Sequence, residues 1–164
     1  MFHIPYEQTG YFSKLMTNYL CQNSHLSPLY NRFPLLENFK DQIFEKQANF
    51  SLENRHILSH SLQNQYKDFT ITTATQNNIS KLKKPNTFTV VTGHQLNLFT
   101  GPLYFLYKIV STINLCKQLK AEYPDNDFVP VYWMATEDHD FEEINFFNFN
   151  RIKFQWNRNV SGPV

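Results

Sequence analysis

The sequence lacks an excess of charge of either sign. Fifteen Lys and Arg stand against fourteen Asp and Glu in 164 residues, a formal net charge of +1, so no global field favours nucleic acid or an anionic membrane surface. Cysteine is scarce: Cys21 and Cys116 are the two present, match no metal-ligand spacing, and predict reduced thiols in a reducing compartment with no disulfide. Long apolar runs are missing as well. Phe128 to Ala135 falls far short of the roughly 20 residues that span a bilayer, and the opening Met1-Phe2-His3-Ile4-Pro5 has no basic stretch leading into an apolar one. These absences predict a soluble, cytoplasmic protein with neither nucleic-acid nor membrane partners. No internal repeat or low-complexity tract breaks the chain. Its length suits one core, and sixteen Phe supply that core against a polar background rich in Asn and Gln.

The amino-terminal part is patterned for helices. Phe12, Leu15, Met16, Tyr19 and Leu20 recur at the spacing of a helix with one buried face, opened by Ser13 or Gly10. A second helix is predicted from Pro34, a residue suited to a first helical position, carrying Leu36, Phe39, Ile43 and Phe44. Ser51 caps a third, which presents Arg55, Leu58, Leu62, Gln65 and Tyr66 along one side. Residues 11–68 are therefore expected to be helical. Lys81, Lys83 and Lys84 before Pro85 read as a linker, either solvated or within reach of a phosphate.

Beyond residue 84 the pattern changes. Thr87-Phe88-Thr89-Val90-Val91 is β-branched and aromatic, ends near Gly93, and predicts a strand. From Pro102 a helix carries Leu103, Leu106, Tyr107, Val110, Ile113 and Leu119 toward a sheet, with Lys117 and Lys120 in its last turns, where cations suit the helix dipole. Phe128 to Ala135 reads as a strand buried on both faces and therefore parallel. Together these form one β-α-β unit, and Phe149, Ile152, Phe154 and Trp156 predict a third, more exposed strand over residues 149–156. The expected division is a helical segment, residues 1–84, and an α/β segment, residues 85–164.

In a β-α-β unit both strands point the same way, so the loops leaving their carboxyl ends share one edge of the sheet. That edge gathers helix amino termini and polar side chains, and it is where open α/β sheets bind ligands. The first loop runs Thr92-Gly93-His94-Gln95-Leu96-Asn97-Leu98-Phe99-Thr100-Gly101-Pro102. Gly93 and Gly101 allow close backbone approach, Thr92 and Thr100 offer hydroxyls, and Pro102 starts a helix with unpaired amides. It matches neither the Walker A pattern nor the three-glycine dinucleotide fingerprint. His94 can contact phosphate, carry a proton, or simply be hydrogen-bonded; Lys108 points either to solvent or toward the site. The second loop, Thr136-Glu137-Asp138-His139-Asp140, brings carboxylates and an imidazole to the end of a strand. Self-repulsion and desolvation make that costly for a purely structural turn. These groups suit Mg²⁺ ligation through oxygen or proton acceptance from an amine, whereas zinc lacks a second His or Cys at ligand spacing. Glu142 and Glu143 are expected at a solvated helix start.

The two loops together resemble the family of the bacillithiol biosynthesis cysteine-adding enzyme BshC. The likeness rests on Val90 to Gln95, on Leu98 to Tyr104 with Tyr107-Lys108, and on Pro130 to Glu143, supported by Tyr11 to Leu15, Asn31 to Pro34 and Gln65-Tyr66. Family members often carry Gln at the place of His94 and Pro-Gly at that of Leu96-Asn97, where Asn still tolerates a positive φ. The resemblance implies a Rossmann-like parallel sheet, incomplete here, preceded by the helical segment, in what is expected to be an amino-terminal fragment of a longer protein. It also implies a later coiled coil, a homodimer, and a ligase that adds L-cysteine to malyl-glucosamine in the last step of bacillithiol biosynthesis. In that reading Asp138, His139, Asp140 and His94 are catalytic, while Thr92, Gly93, Gln95, Thr100, Gly101, Pro102, Lys108 and Glu137 bind substrate or nucleotide. The chemistry of amide formation points to ATP and Mg²⁺. The alternatives are a nucleotidyltransferase-like, nucleotide-binding enzyme and a non-catalytic helical interaction fragment.

Overall fold

In the computed structural model, which describes residues 3–95, 97–137 and 141–158, hydroxyl side chains start several of the helices. After the single turn of α1 (Tyr6–Thr9), ended by Gly10 at φ 69°, α2 (Lys14–Leu20) begins where the Ser13 side chain accepts the N–H of Met16. Ser13, not Gly10, is thus the opening residue. Tyr19 packs on Tyr30 and Phe33, with ring centroids 5.3 and 5.1 Å away. The Arg32 guanidinium pairs with Glu45 at 2.6 Å, and the Asn31 amide donates to the same carboxylate.

The second helix starts later than Pro34. The Phe33 carbonyl accepts from both the Leu35 N–H and the Asn38 side chain, each at 2.8 Å, and Leu35 stays extended. A 3-10 turn over Leu36–Asn38 therefore precedes α3 (Phe39–Asn49). The chain forms two compact units, one up to Lys46 and one from Gln47.

In the second unit α4 (Leu52–Gln65) is capped as expected, the Ser51 hydroxyl accepting from Asn54 N–H. Its contact face differs from the expected one. Arg55 and Ser59 are buried, while Leu58 and Tyr66 are exposed, because the helix docks through hydrogen bonds to carbonyls. Ser59 donates to Ile79 O at 3.1 Å and Arg55 to Thr87 O at 2.8 Å. Thr87 opens the first strand, and Ile79 lies in a helix that apolar periodicity does not reveal, α5 (Thr73–Lys81), which is capped by Thr72 and buries Ile79. The expected 84/85 division marks a change of composition, whereas the contacts group α4 and α5 with the sheet. Lys81 ends α5 and reaches Asp127 at 3.4 Å, as does Lys120. Burial raises the Asp127 pKa, but these ammonium groups outweigh it and leave the carboxyl below its ordinary value.

β1 (Thr87–His94) and β2 (Asp127–Met134) pair in parallel, from Thr87 opposite Asp127 to His94 opposite Met134. They are joined through α6 (Leu103–Glu122). The parallel direction is as expected; burial on both faces is not. Val129 is buried, but Trp133 and Met134 are exposed. Leu119 is buried as expected, but the helix is otherwise rotated from the expected face: Thr112 and Cys116 are buried with it, while Leu103, Leu106, Tyr107, Val110 and Ile113 are exposed. Lys108 decides this rotation, since its ammonium donates to Gly93 O and so turns its side of the helix to the sheet. After one turn, α7 (Phe141–Ile144), the expected single strand proves to be an antiparallel hairpin, β3 (Phe146–Phe149) with β4 (Ile152–Gln155). Asn150 and Arg151 form its tip at φ 49° and 65°, the pair of positive φ values that a two-residue hairpin turn requires.

The fold is thus α/β, a parallel sheet preceded by helices. No helix among the described residues is long and apolar enough to cross a membrane. Cys21 and Cys116 are both free thiols, the first exposed and the second buried. Burial pushes the Cys116 thiol up to about 11, leaving almost no thiolate at neutral pH. An alkylating reagent at pH 8 should label Cys21 rapidly and Cys116 only at the rate of unfolding, as counted by intact mass.

Candidate functional site

The parallel register brings the two loops together. Because His94 is the last paired residue of β1, its carbonyl accepts from Ala135 N–H at 3.2 Å and from the Tyr132 hydroxyl at 2.9 Å. The first loop is thereby tied to the residues that begin the second. Desolvation pushes the Tyr132 phenol up, so it remains protonated and a donor. Lys108 reaches this edge through Gly93 O.

The glycines serve the chain's own packing. A Cβ on Gly93 would lie 3.0 Å from Trp133 O and 3.1 Å from Trp133 Cβ, so the gap between strands fixes this residue. Gly101, at φ 58° and ψ −158°, sits in a region that is essentially glycine's alone, and a Cβ there would lie 2.6 Å from that of Asn97. Gly101→Ala should cost about 2 kcal/mol, read as a lower denaturant midpoint. Gly10→Ala is the control, since Gly10 has a similar φ of 69° but open space around its Cβ position. The tolerance of Asn for positive φ goes unused: Asn97 is extended at φ −131°, and the left-handed residue is Phe99, at φ 49° and ψ 46°.

His94 is held on both ring nitrogens. Nε2 lies 2.8 Å from the Tyr104 hydroxyl, and Nδ1 lies 3.0 Å from both Gln95 O and the Asn97 amide nitrogen. Either tautomer is served: a proton on Nδ1 goes to Gln95 O while Tyr104 donates to Nε2, or Asn97 donates to Nδ1 while Nε2–H donates to Tyr104. Asn97 also donates to Gln95 O at 2.9 Å, which fixes the loop across the imidazole. Pro102, the N-cap of α6, gives no side-chain cap, so first-turn amides of the helix remain for an acceptor.

Facing this loop is the hairpin. Between them lies a cleft of about 1120 Å³, lined on the loop side by His94, Asn97, Phe99 and Tyr104 and on the hairpin side by Phe147 and Asn148, among others. That exceeds the upper range of about 1,000 Å³ for a pocket holding one drug-sized molecule, so two small reactants have room. Of the residues that sequence reasoning proposed for the site, His94, Gln95, Gly101 and Pro102 line the cleft. Thr92 and Gly93 are paired in the sheet behind it, Lys108 is on Gly93 O, and Glu137 accepts from Trp133 Nε1 at 3.4 Å. Asp138, His139 and Asp140, and the side chain of Thr100, lie outside the described residues.

The family described as "Bacillithiol biosynthesis BshC, N-terminal Rossmann-like domain" matches residues 1–162. This chain belongs to the BshC family. It is 61% identical to a relative in Flavobacterium johnsoniae over 98% of its own length and 30% of the relative's, and 60% identical to one in Flavobacterium psychrophilum over the same shares. A relative in Cytophaga hutchinsonii is 43% identical, again over 98% and 30%. All three carry the name "Putative cysteine ligase BshC", and the chain spans about 30% of their length. The parallel pair β1 and β2 accordingly belongs to a Rossmann-like BshC domain. Sequence reasoning missed Asn97, Tyr104 and the whole hairpin wall of this site. Tyr104 was open to it, being the second residue of the helix and so beside the loop; the wall was not, because the hairpin tip, Asn150-Arg151, contains no glycine.

Proposed function

We propose that this chain provides the reactant-binding edge of a cysteine ligase, which joins L-cysteine to malyl-glucosamine in the last step of bacillithiol formation. The observation that supports it most is the 3.2 Å bond from Ala135 N–H to His94 O, since it joins the glycine-flanked loop of β1 to the end of β2, from which the acidic sequence continues. Amide formation needs an activated carboxyl and an amine that can lose a proton, so charge of opposite sense develops at two neighbouring points. One loop supplies donors, the imidazole of His94, the Tyr104 hydroxyl and the first amides of α6. The other supplies acceptors, Glu137 followed by Asp138, His139 and Asp140, of which one takes the proton released by the attacking amine.

ATP would supply the activation. Its phosphates suit the start of α6, where no side chain competes for the amides. Among the described residues no group of three metal-ligating side chains is present, so Mg²⁺ is assigned to the acidic loop by the chemistry of its oxygen donors alone. The test is to incubate a full-length relative with malyl-glucosamine, L-cysteine and ATP and to measure the coupled thiol. Product formation that depends on all three supports the reading. Transfer of a nucleotidyl group with no coupled thiol would replace it with a nucleotidyltransferase.

A further inference from the structure

The face that α6 turns to the sheet carries a charge. Phe105, Lys108 and Thr112 follow one another at the three- and four-residue spacing of one helix face, and the Lys108 ammonium, on a half-buried side chain, donates to Gly93 O. Tyr132 stands opposite Thr92 in the register of β1 and β2, and its hydroxyl reaches along β1 to donate to His94 O at 2.9 Å. Ala135 N–H is the second donor to that carbonyl. Gly93 O and His94 O belong to the two peptide groups on either side of the His94 Cα. Each is therefore held by a side chain from a different element, and the backbone torsions of His94 are set between them. The Phe105 ring stands edge-on to both the His94 and the Tyr132 rings, with centroids 6.1 and 5.5 Å away.

An ammonium on this face costs desolvation that a methionine at the same position would not incur, and in return a cation is the stronger donor to a carbonyl. Neither Lys108 nor Tyr132 is among the residues lining the cleft, whereas His94 is. Both side chains bond to the backbone of His94 or of its neighbour, so an effect on a reactant passes through the imidazole. The place is also one that needs support: His94 is the last residue of β1 paired with β2, and the loop beyond it runs through positive φ at Phe99 and Gly101. We propose that Lys108 and Tyr132 are positioning residues for His94, fixing the two flanking peptide groups so that the imidazole meets the Tyr104 hydroxyl and the Asn97 amide together. Lys108 thereby acts beneath the site, not as a ligand of substrate or nucleotide. As a statement about turnover this rests on the ligase reading; as a statement about the ring it does not.

The first test is NMR of this chain with isotopically labelled histidine, the His94 ring signal being assigned by its loss in His94→Gln. Whichever ring nitrogen carries the proton, it faces Gln95 O or the Tyr104 hydroxyl, so a held ring keeps that proton from exchanging with water and the N–H signal is seen. Tyr132→Phe, which removes one hydroxyl and keeps the ring, should broaden the signal beyond detection with unchanged circular dichroism. Lys108→Met should do the same, and if it fails to fold, Tyr132→Phe decides alone. The second test uses a full-length relative that has this histidine. Each substitution should lower kcat about tenfold with unchanged KM values, and neither should lower it further in a His94→Ala background. A retained His94 N–H signal in both variants, a raised KM with kcat kept, or an equally large fall in kcat in the His94→Ala background overturns the proposal. If the signal is lost as described but the parent relative makes no coupled thiol, the ligase reading fails and the positioning stands. Coupling by the parent, with the parent's kcat in both variants, has the opposite meaning.

Discussion

Replacing His94 by alanine in a full-length relative is expected to lower the rate of thiol formation roughly 10²- to 10³-fold, the cost of losing one preorganised donor at a site of developing charge. The reason lies in the pairing with Tyr104. When Asn97 donates to Nδ1 and Nε2–H donates to the Tyr104 oxygen, 2.8 Å away, the tyrosine hydroxyl keeps its own proton to offer into the cleft. Removing the imidazole releases both the hydroxyl and Asn97, so the donor is lost and its neighbours are left unset. Glutamine is the informative comparison, because its amide can also donate to the tyrosine oxygen. His94→Gln should therefore retain a rate within about tenfold of the parent enzyme. A proton carrier would behave otherwise, with His94→Gln as impaired as His94→Ala, and parent-like turnover in both variants would remove His94 from the chemistry. Rates should be compared at saturating substrate, so that the change appears in kcat.

The second large effect concerns stability, at a site far from the cleft in purpose. Arg55→Met is expected to cost about 3 kcal/mol, measured as a fall in denaturant midpoint with an unchanged slope. Arg55 is 4% exposed and has no carboxylate partner among the described residues. Its guanidinium donates to Thr87 O at 2.8 Å and to Leu82 O at 3.4 Å, and it lies 5.2 Å from the Phe50 ring and 6.0 Å from that of Phe88. Burial pulls its pKa down, yet an arginine starts so high that it stays charged. One side chain thus joins α4, the end of α5 and the first residue of β1. Methionine preserves much of the volume and leaves two carbonyls without donors, which is where the cost comes from. The opposing contribution is the desolvation of an uncompensated cation. If it dominates, Arg55→Met will be neutral or stabilising, and the clamp is then weaker than the hydrogen bonds imply.

Caps, strand direction and the meeting of the two loops were legible because each depends on local chemistry or on chain connectivity. Ser13 and Ser51 cap because each is an extended residue at a helix start whose hydroxyl accepts from an amide three residues on. β1 and β2 run in parallel because a helix, not a tight turn, joins them. From that alone His94 had to lie beside Ala135. The illegible parts depend on partners distant in sequence. α5 escaped notice because its interior is Asn- and Gln-rich and Ile79 is its one buried residue. The exposed face of α6 looked like its core face because Leu103, Leu106, Tyr107, Val110 and Ile113 repeat at helical spacing, whereas a lysine anchors the other side.

The amino-acid order by itself determined which segments are helix or strand near their caps, that the sheet is parallel, and which edge collects the polar loops. Each follows from short-range sterics, hydroxyl capping or the length of a connection. Only the tertiary structure decided that Gly93 and Gly101 make room for Trp133 and Asn97, that Tyr104 holds His94, and that a phenylalanine hairpin closes the far side of the cleft. Those facts are about gaps of a few ångströms between residues that the chain brings together only after folding, and no periodicity records them.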